Sequence, residues 1–181
     1  MRSFITCFLF FLVSGLVAQA QTFTLSSSDI GGQATMKEVF NGFGCTGGNV
    51  SPQLTWSNPP AGTQSFAVTM YDPDAPTGSG WWHWLVFDIP AGTTILVSNA
   101  GNISAGLAPA GCIQSMTDFG GTGYGGPCPP EGHGFHTYIF TVYALKVDKL
   151  GLDAKANPAL VGYMLNANTL EKASIVMYYK R

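Results

Sequence analysis

The sequence predicts a mainly β protein, an antiparallel β-sandwich with a small helical flank near its C-terminus. Only 10% of its 181 residues are charged, 13% are aromatic and 23 are glycine, a composition that suits a turn-rich β domain better than a helical bundle. Short segments rich in branched and aromatic residues alternate with Gly, Pro and Asn, which is the spacing of a sandwich.

The first twenty residues predict a secretory signal peptide. Arg2 gives a short positive region, residues 4–17 are apolar, and Ala18-Gln19-Ala20 forms a small-residue cleavage signal. A membrane anchor is the alternative, but the apolar run is shorter than the roughly 20 residues that span a bilayer. We therefore expect residues 1–20 to be removed and residues 21–181 to form a single domain in the periplasm or outside the cell.

Most strands are predicted from apolar patterning. Residues 64–71 alternate apolar and polar side chains, as in a half-buried strand, whereas residues 84–89 and 138–145 are continuous apolar runs typical of central strands. Shorter strands are predicted at residues 22–25, 34–40 and 53–56.

One helix and one last strand are predicted near the C-terminus. Asn157 can cap a helix, and Pro158 fits its first turn. The apolar pattern continues this helix to about Leu170, and residues 173–179 then predict a strand.

Two stiff loops, each followed by a strand with a histidine at the join, predict one pocket. Residues 72–76 read Asp-Pro-Asp-Ala-Pro and precede His83, and the Gly- and Pro-rich residues 123–130 precede His136. Proline fixes φ, so these loops can hold side chains in place for binding. We expect them to form the two walls of a single small pocket.

The aspartates and histidines in and beside these loops could have several roles. Asp72 and Asp74 could accept hydrogen bonds from turn N–H groups, bind a metal or act as a catalytic pair. A carboxylate near His83 or His136 is expected to raise the pKa of the imidazole. His133 and His136 form H-x-x-H, but no helix and no C-x-x-C accompanies them, so a zinc site is disfavoured.

Residues 121–126 match the dinucleotide pattern G-x-G-x-x-G. The prolines that follow exclude the helix on which that pattern depends. Glycines lack Cβ, so this backbone could approach a ligand closely, and a purely structural turn is the alternative.

Three cysteines remain after cleavage, Cys45, Cys112 and Cys128. In an oxidising compartment, an odd number implies one disulfide and one thiol, or an intermolecular link. The count alone does not choose the pairing, and three separate buried thiols are the alternative.

The motifs of both loops resemble the phosphatidylethanolamine-binding protein (PEBP) family, most of all its bacterial Raf-kinase-inhibitor-like branch. The resemblance extends from about Thr22 to the C-terminus and is carried by residues 71–76, 82–86 and 126–130, with His136-Thr137-Tyr138. The family usually has His-Arg-Tyr at this last place, so any role of that arginine is not carried over.

The resemblance implies a sandwich of PEBP type, a disulfide and a ligand site. Bacterial relatives often carry both Cys45 and Cys128, which lie in Gly/Pro-rich loops beside the pocket, so this pair is the expected bridge. The ligand-binding residues implied are Asp72, Pro76, His83, Tyr124, Cys128, Pro130, His136 and Tyr138.

The function implied is binding of a small anion or a phosphorylated head group, without a cofactor. Neither loop contains Lys or Arg, so binding would depend on histidine cations and backbone N–H groups and would be weak and pH-dependent. The alternatives are an inhibitor of an envelope protease or other partner, and a weak envelope hydrolase using His83 and an aspartate. The formal charge of −2 and the lack of a basic patch exclude a nucleic-acid-binding protein.

Overall fold

The computed structural model describes residues 21–181, so the predicted signal peptide lies outside the described residues. Ten strands and one α-helix make up the fold of residues 21–181. In chain order they are β1 (Thr24–Ser26), β2 (Asn41–Gly42), β3 (Cys45–Thr46), β4 (Leu54–Ser57), β5 (Ser65–Asp72), β6 (Trp81–Pro90), β7 (Ile95–Leu96), β8 (Ile113–Gln114), β9 (His136–Leu145), α1 (Pro158–Asn168) and β10 (Thr169–Tyr179).

The strands form two antiparallel sheets and a separate hairpin. A five-stranded sheet has the order β10-β9-β5-β6-β8, a three-stranded sheet has the order β1-β4-β7, and β2 pairs with β3. Side chains of both sheets meet in the main core, where Trp56 of the small sheet contacts Phe66 of the large one. The predicted antiparallel sandwich is confirmed.

Helix α1 covers part of the other face of the five-stranded sheet. Its inward residues Val161 and Leu165 belong to a second apolar cluster with Leu85 and Phe87 of β6. The Asn157 side chain accepts a hydrogen bond from Leu160 N at 2.9 Å, as the predicted cap requires. Within residues 21–181 no helix is both long and apolar enough to cross a membrane.

The helix and the last strand meet earlier than the apolar pattern predicts. The helix ends at Asn168 and β10 begins at Thr169, whereas the sequence predicts a helix to about Leu170 and a strand from residue 173. Thr169 already has an extended backbone and pairs with Leu145 of β9. Sheet pairing therefore overrides the local helical pattern at these residues.

The strand predicted at residues 34–40 is wrong. Residues 34–40 contain no strand, residues 36–38 form a turn, and the one isolated bridge nearby is at Gln33, just before the segment. The Glu38 carboxylate accepts hydrogen bonds from Thr35 N at 2.9 Å and from Thr35 Oγ1 at 2.8 Å. Because the Glu38 carboxylate satisfies two local donors of Thr35, the backbone turns here.

An irregularity in the pairing of β5 with β6 occurs at His83. Met70 pairs with Trp84 and Tyr71 pairs with Trp82, so two successive residues of β5 face three of β6. His83 is the additional residue of this β-bulge. Bulges rotate side chains out of the regular alternation, commonly beside functional sites.

Candidate functional site

A cavity of about 180 Å³ lies between the two predicted loops. It brings together seven of the eight predicted ligand-binding residues: Asp72, Pro76, His83, Cys128, Pro130, His136 and Tyr138. The sequence analysis missed six further lining residues: Phe43, Ala75, Thr77, Trp81, Phe119 and Pro129. No Lys or Arg is among the residues of the described chain that line this cavity.

Asp72 and His136 form a buried pair at the ends of β5 and β9. Asp72 Oδ2 lies 2.8 Å from His136 Nδ1, and Asp72 Oδ1 accepts a hydrogen bond from Asp74 N at 2.8 Å. Since a carboxylate only accepts, Nδ1 carries the proton. The other ring nitrogen of His136, Nε2, lies 2.9 Å from Nδ1 of the exposed His133.

Asp74 ties the first loop to the strand of the second. Its Oδ2 accepts a hydrogen bond from Thr137 N at 2.7 Å. Thr137 is the residue that stands where the family usually has arginine. Of the roles left open for Asp74, the local acceptor is therefore the one that the structure shows.

His83 is fixed by the glycine-rich loop rather than by an aspartate. Its Nδ1 donates to Gly125 O at 2.7 Å, and Gly125 N donates to His83 O at 2.9 Å. Burial lowers the pKa of His83 to about 4. The desolvation effect outweighs the Gly125 carbonyl and the Asp72 carboxylate, which both act to raise the pKa. The Asp72 carboxylate acts on the pKa of His83 in the expected upward direction, but desolvation is the larger effect, so the net pKa is lowered and the cation is not favoured.

Two consequences follow for the chemistry of His83. The ring is neutral at physiological pH, so it does not supply the cation that the sequence analysis gave to an anion site. With the proton on Nδ1, Nε2 is a lone-pair acceptor. Because Asp72 pairs with His136 instead, the His83–aspartate pair expected of a hydrolase is not formed.

Tyr138 provides a hydrogen-bond donor in the wall of the cavity. Its hydroxyl is buried and has no hydrogen-bond partner within residues 21–181. Burial, reinforced by the nearby Asp72 carboxylate, raises the pKa of Tyr138, so the hydroxyl keeps its proton. A buried hydroxyl without a partner carries a desolvation cost that a bound acceptor would relieve.

Tyr124, the eighth residue of the predicted ligand set, does not line the cavity. Its hydroxyl donates to Glu38 O at 3.2 Å, and its ring meets the Trp84 ring edge-on at 5.8 Å. Tyr124 thus anchors the turn at residues 35–38 to the main core, and it does not belong to the group of seven.

The close approach of the glycine-rich loop is to the protein itself. A Cβ on Gly126 would lie 2.0 Å from Glu38 O, and one on Gly125 would lie 2.4 Å from the Phe119 ring. Gly126 N donates to Asn49 Oδ1 at 2.8 Å. These glycines are required by packing, which is the structural alternative to the predicted contact with a ligand.

The expected disulfide between Cys45 and Cys128 is present. It joins the β2–β3 hairpin to the second loop across 83 residues of sequence, and Cys112 is a free thiol. Phe43 lies at the tip of this hairpin. Residues 42–44 read Gly-Phe-Gly, which indicates a turn next to Cys45. A single sequence does not show that this turn reaches the cavity and forms a third part of its wall.

The mouth of the cavity is aromatic. We call Phe43, Trp81 and Phe119 the aromatic rim. The Phe43 and Phe119 rings are stacked at 5.7 Å, and Trp81 meets Phe119 edge-on at 5.4 Å. Phe119 also contacts the His83 ring at 5.2 Å, so the rim continues directly into the polar part of the cavity.

The fold is shared with known proteins. A family model described as phosphatidylethanolamine-binding protein matches residues 26–180. The UPF0098 proteins YbcL and YbhB of Escherichia coli strain K12 are 54% and 47% identical, over 90% and 86% of this chain and 90% and 98% of theirs. The crystal structure of E. coli YbcL, a member of the mammalian PEBP family, matches with a TM-score of 0.86 and 53% identity over 88% of this chain and 98% of that one. The chain therefore belongs to the phosphatidylethanolamine-binding protein family.

Proposed function

We propose that this protein is an exported binding protein whose cavity takes a small ligand through an anionic or phosphorylated head group. The observation that carries the proposal is the buried Tyr138 hydroxyl, a protonated donor without a partner in the described chain, in the wall of the cavity. The resemblance of the ligand set to that of the family supports the same site.

The neutral His83 determines which form of the head group fits. A singly protonated phosphate carries a P–OH donor and P–O⁻ acceptors. The donor matches the lone pair on His83 Nε2, and an acceptor matches the Tyr138 hydroxyl. Since the second pKa of a phosphate monoester is near 6, we expect tighter binding at pH 6 than at pH 8. Protonation of the ligand, rather than a histidine cation, then accounts for the pH dependence.

Export is supported by the disulfide and by the signal-like sequence. A bridge such as Cys45–Cys128 persists in oxidising compartments and is rare in a reducing cytosol. We propose cleavage after Ala20 and a location in the periplasm or outside the cell. Mass spectrometry of the protein from its native host tests this, because the mature chain should begin at Gln21.

Calorimetric titration tests the binding site. The ligands are inorganic phosphate and phosphoethanolamine at pH 6 and pH 8, and the variant is Tyr138→Phe, which removes only the donor. We expect about tenfold weaker binding of both ligands, the typical loss of one hydrogen bond to a charged group. The variant should fold at least as stably as the wild type, since it deletes an unpaired buried hydroxyl.

Tyr143→Phe is the matched control. Tyr143 lies on the same strand, β9, but belongs to the apolar cluster under helix α1 and does not line the cavity. This variant should bind both ligands like the wild type. No binding of either ligand to the wild type, or equal binding by Tyr138→Phe, would refute the proposed site.

A further inference from the structure

Phe43 has an unusual position for a large apolar residue. It lies in the two-residue turn of the β2–β3 hairpin, where Phe43 and Gly44 have φ angles of 51° and 84°. Positive φ at both central residues is typical of type I′ turns, which favour Asn or Gly at the place that Phe43 occupies. The residue is 67% exposed even though it lines the cavity.

Three contacts hold Phe43 in this position. Cys45, two residues away, is linked to Cys128. Arg181 Nη1 donates a hydrogen bond to Phe43 O at 3.2 Å. The Phe43 ring packs on Phe40 at 5.5 Å and on Phe119 at 5.7 Å. These contacts hold the hairpin tip beside the cavity.

The exposed Phe43 ring at the mouth of the cavity needs an explanation, because a turn of this type forms more readily with Asn than with Phe at this position. A bulky residue with positive φ is strained, and such residues are concentrated at ligand-binding sites. Phe43 is joined there by Trp81 and Phe119, so the aromatic rim lies directly outside the polar part of the cavity formed by His83 and Tyr138.

We propose that Phe43 is a specificity-determining residue that selects ligands whose polar head is attached to a flat aromatic ring. This inference rests on the proposed function, because the head must occupy the cavity for the ring to reach the rim. Aromatic rings gain from stacked and edge-to-face contacts beyond the area that they bury. An aromatic phosphomonoester should therefore bind better than a saturated one of similar size.

The test is calorimetric titration at pH 6 with inorganic phosphate, cyclohexyl phosphate and phenyl phosphate. Wild-type protein should bind phenyl phosphate about three- to tenfold more tightly than cyclohexyl phosphate, the advantage expected of one aromatic pair. Phe43→Asn removes the ring but keeps a residue that tolerates positive φ. This variant should lose the preference for phenyl phosphate over cyclohexyl phosphate.

Phe135→Asn is the matched control. Phe135 is also exposed, at 49%, but it lies beneath Lys180 Nζ and does not line the cavity. The control should keep the preference for phenyl phosphate. Equal affinity of wild-type protein for phenyl and cyclohexyl phosphate, or a preference that survives Phe43→Asn, would overturn the inference while phosphate binding remained intact. Failure of all three ligands to bind would instead refute the proposed function on which it rests.

Discussion

His136 Nδ1 lies 2.8 Å from Asp72 Oδ2, and only 2% and 4% of the two side chains is exposed. The pair joins the end of β5 to the start of β9 and lies in the wall of the cavity. A polar group buried in this way is tolerated only while its partner is present. The pair therefore contributes to both the fold and the shape of the site.

Asp72→Ala should destabilise the protein by about 3–5 kcal/mol, the usual cost of removing one partner from a buried pair. The variant leaves the His136 Nδ1–H and the Asp74 N–H without acceptors. Urea unfolding followed by tryptophan fluorescence measures the loss.

Asp74→Ala is the control for this prediction. It removes one hydrogen bond, to Thr137 N, at an exposed position, so its cost should be about 1 kcal/mol or less. Equal costs for Asp72→Ala and Asp74→Ala would show that the buried pair contributes no more than an ordinary loop contact.

The burial of neutral His83 should make the folded protein less stable at acid pH than at neutral pH. Its pKa is about 4 in the folded chain, and an unfolded histidine has a pKa near 6.5. Because the unfolded chain binds the proton first, the stabilisation is present above pH 6.5 and is lost as the pH falls towards 4. The loss amounts to about 3 kcal/mol at most.

The measurement is the free energy of unfolding at pH 7 and pH 4.5 for the wild type and His83→Gln. Glutamine does not titrate, so the variant should lose less stability than the wild type between these pH values. An NMR titration should show His83 neutral at pH 6. A His83 resonance that titrates near pH 6.5 would contradict the assigned burial effect.

Loss of the Cys45–Cys128 bridge should destabilise the protein by at most about 4.6 kcal/mol, according to the chain-entropy relation for a loop of this length. The double variant Cys45→Ser/Cys128→Ser shows this in urea unfolding, and reduction of the wild type should match it. Cys112→Ser should retain the stability change on reduction, since Cys112 is a free thiol. A stability of the wild type that is unaffected by reduction would argue against the bridge.

Gly126→Ala should destabilise the protein by about 3 kcal/mol or more, because overpacking against rigid neighbours is costly. Its Cβ would lie 2.0 Å from Glu38 O and 2.7 Å from Phe40 N, both backbone atoms. In Gly121→Ala, by contrast, the added Cβ meets nothing within 4 Å, so stability should change by less than about 1 kcal/mol. Thermal unfolding of both variants decides the matter, and similar melting temperatures would contradict the packing described here.

Sequence reasoning predicted most of the fold because strands and loops leave local signals. The apolar runs at residues 84–89 and 138–145 became parts of β6 and β9, and the Asn157-Pro158 signal marked the start of α1. The prediction of a strand at residues 34–40 was wrong because this segment contains a turn, which hydrogen bonds between Thr35 and Glu38 stabilise. Short strands such as β7 and β8 have two residues each, too few for a periodic pattern.

For the candidate site, the sequence by itself determined the stiff loops, the two histidines and the acidic and aromatic residues beside them, because each is a local chemical pattern. Only the tertiary structure decided that His136 pairs with Asp72, that burial keeps His83 neutral, and that Phe43 reaches the cavity while Tyr124 does not. These facts depend on contacts between residues far apart in the chain and on desolvation. Neither leaves a local pattern in a single sequence.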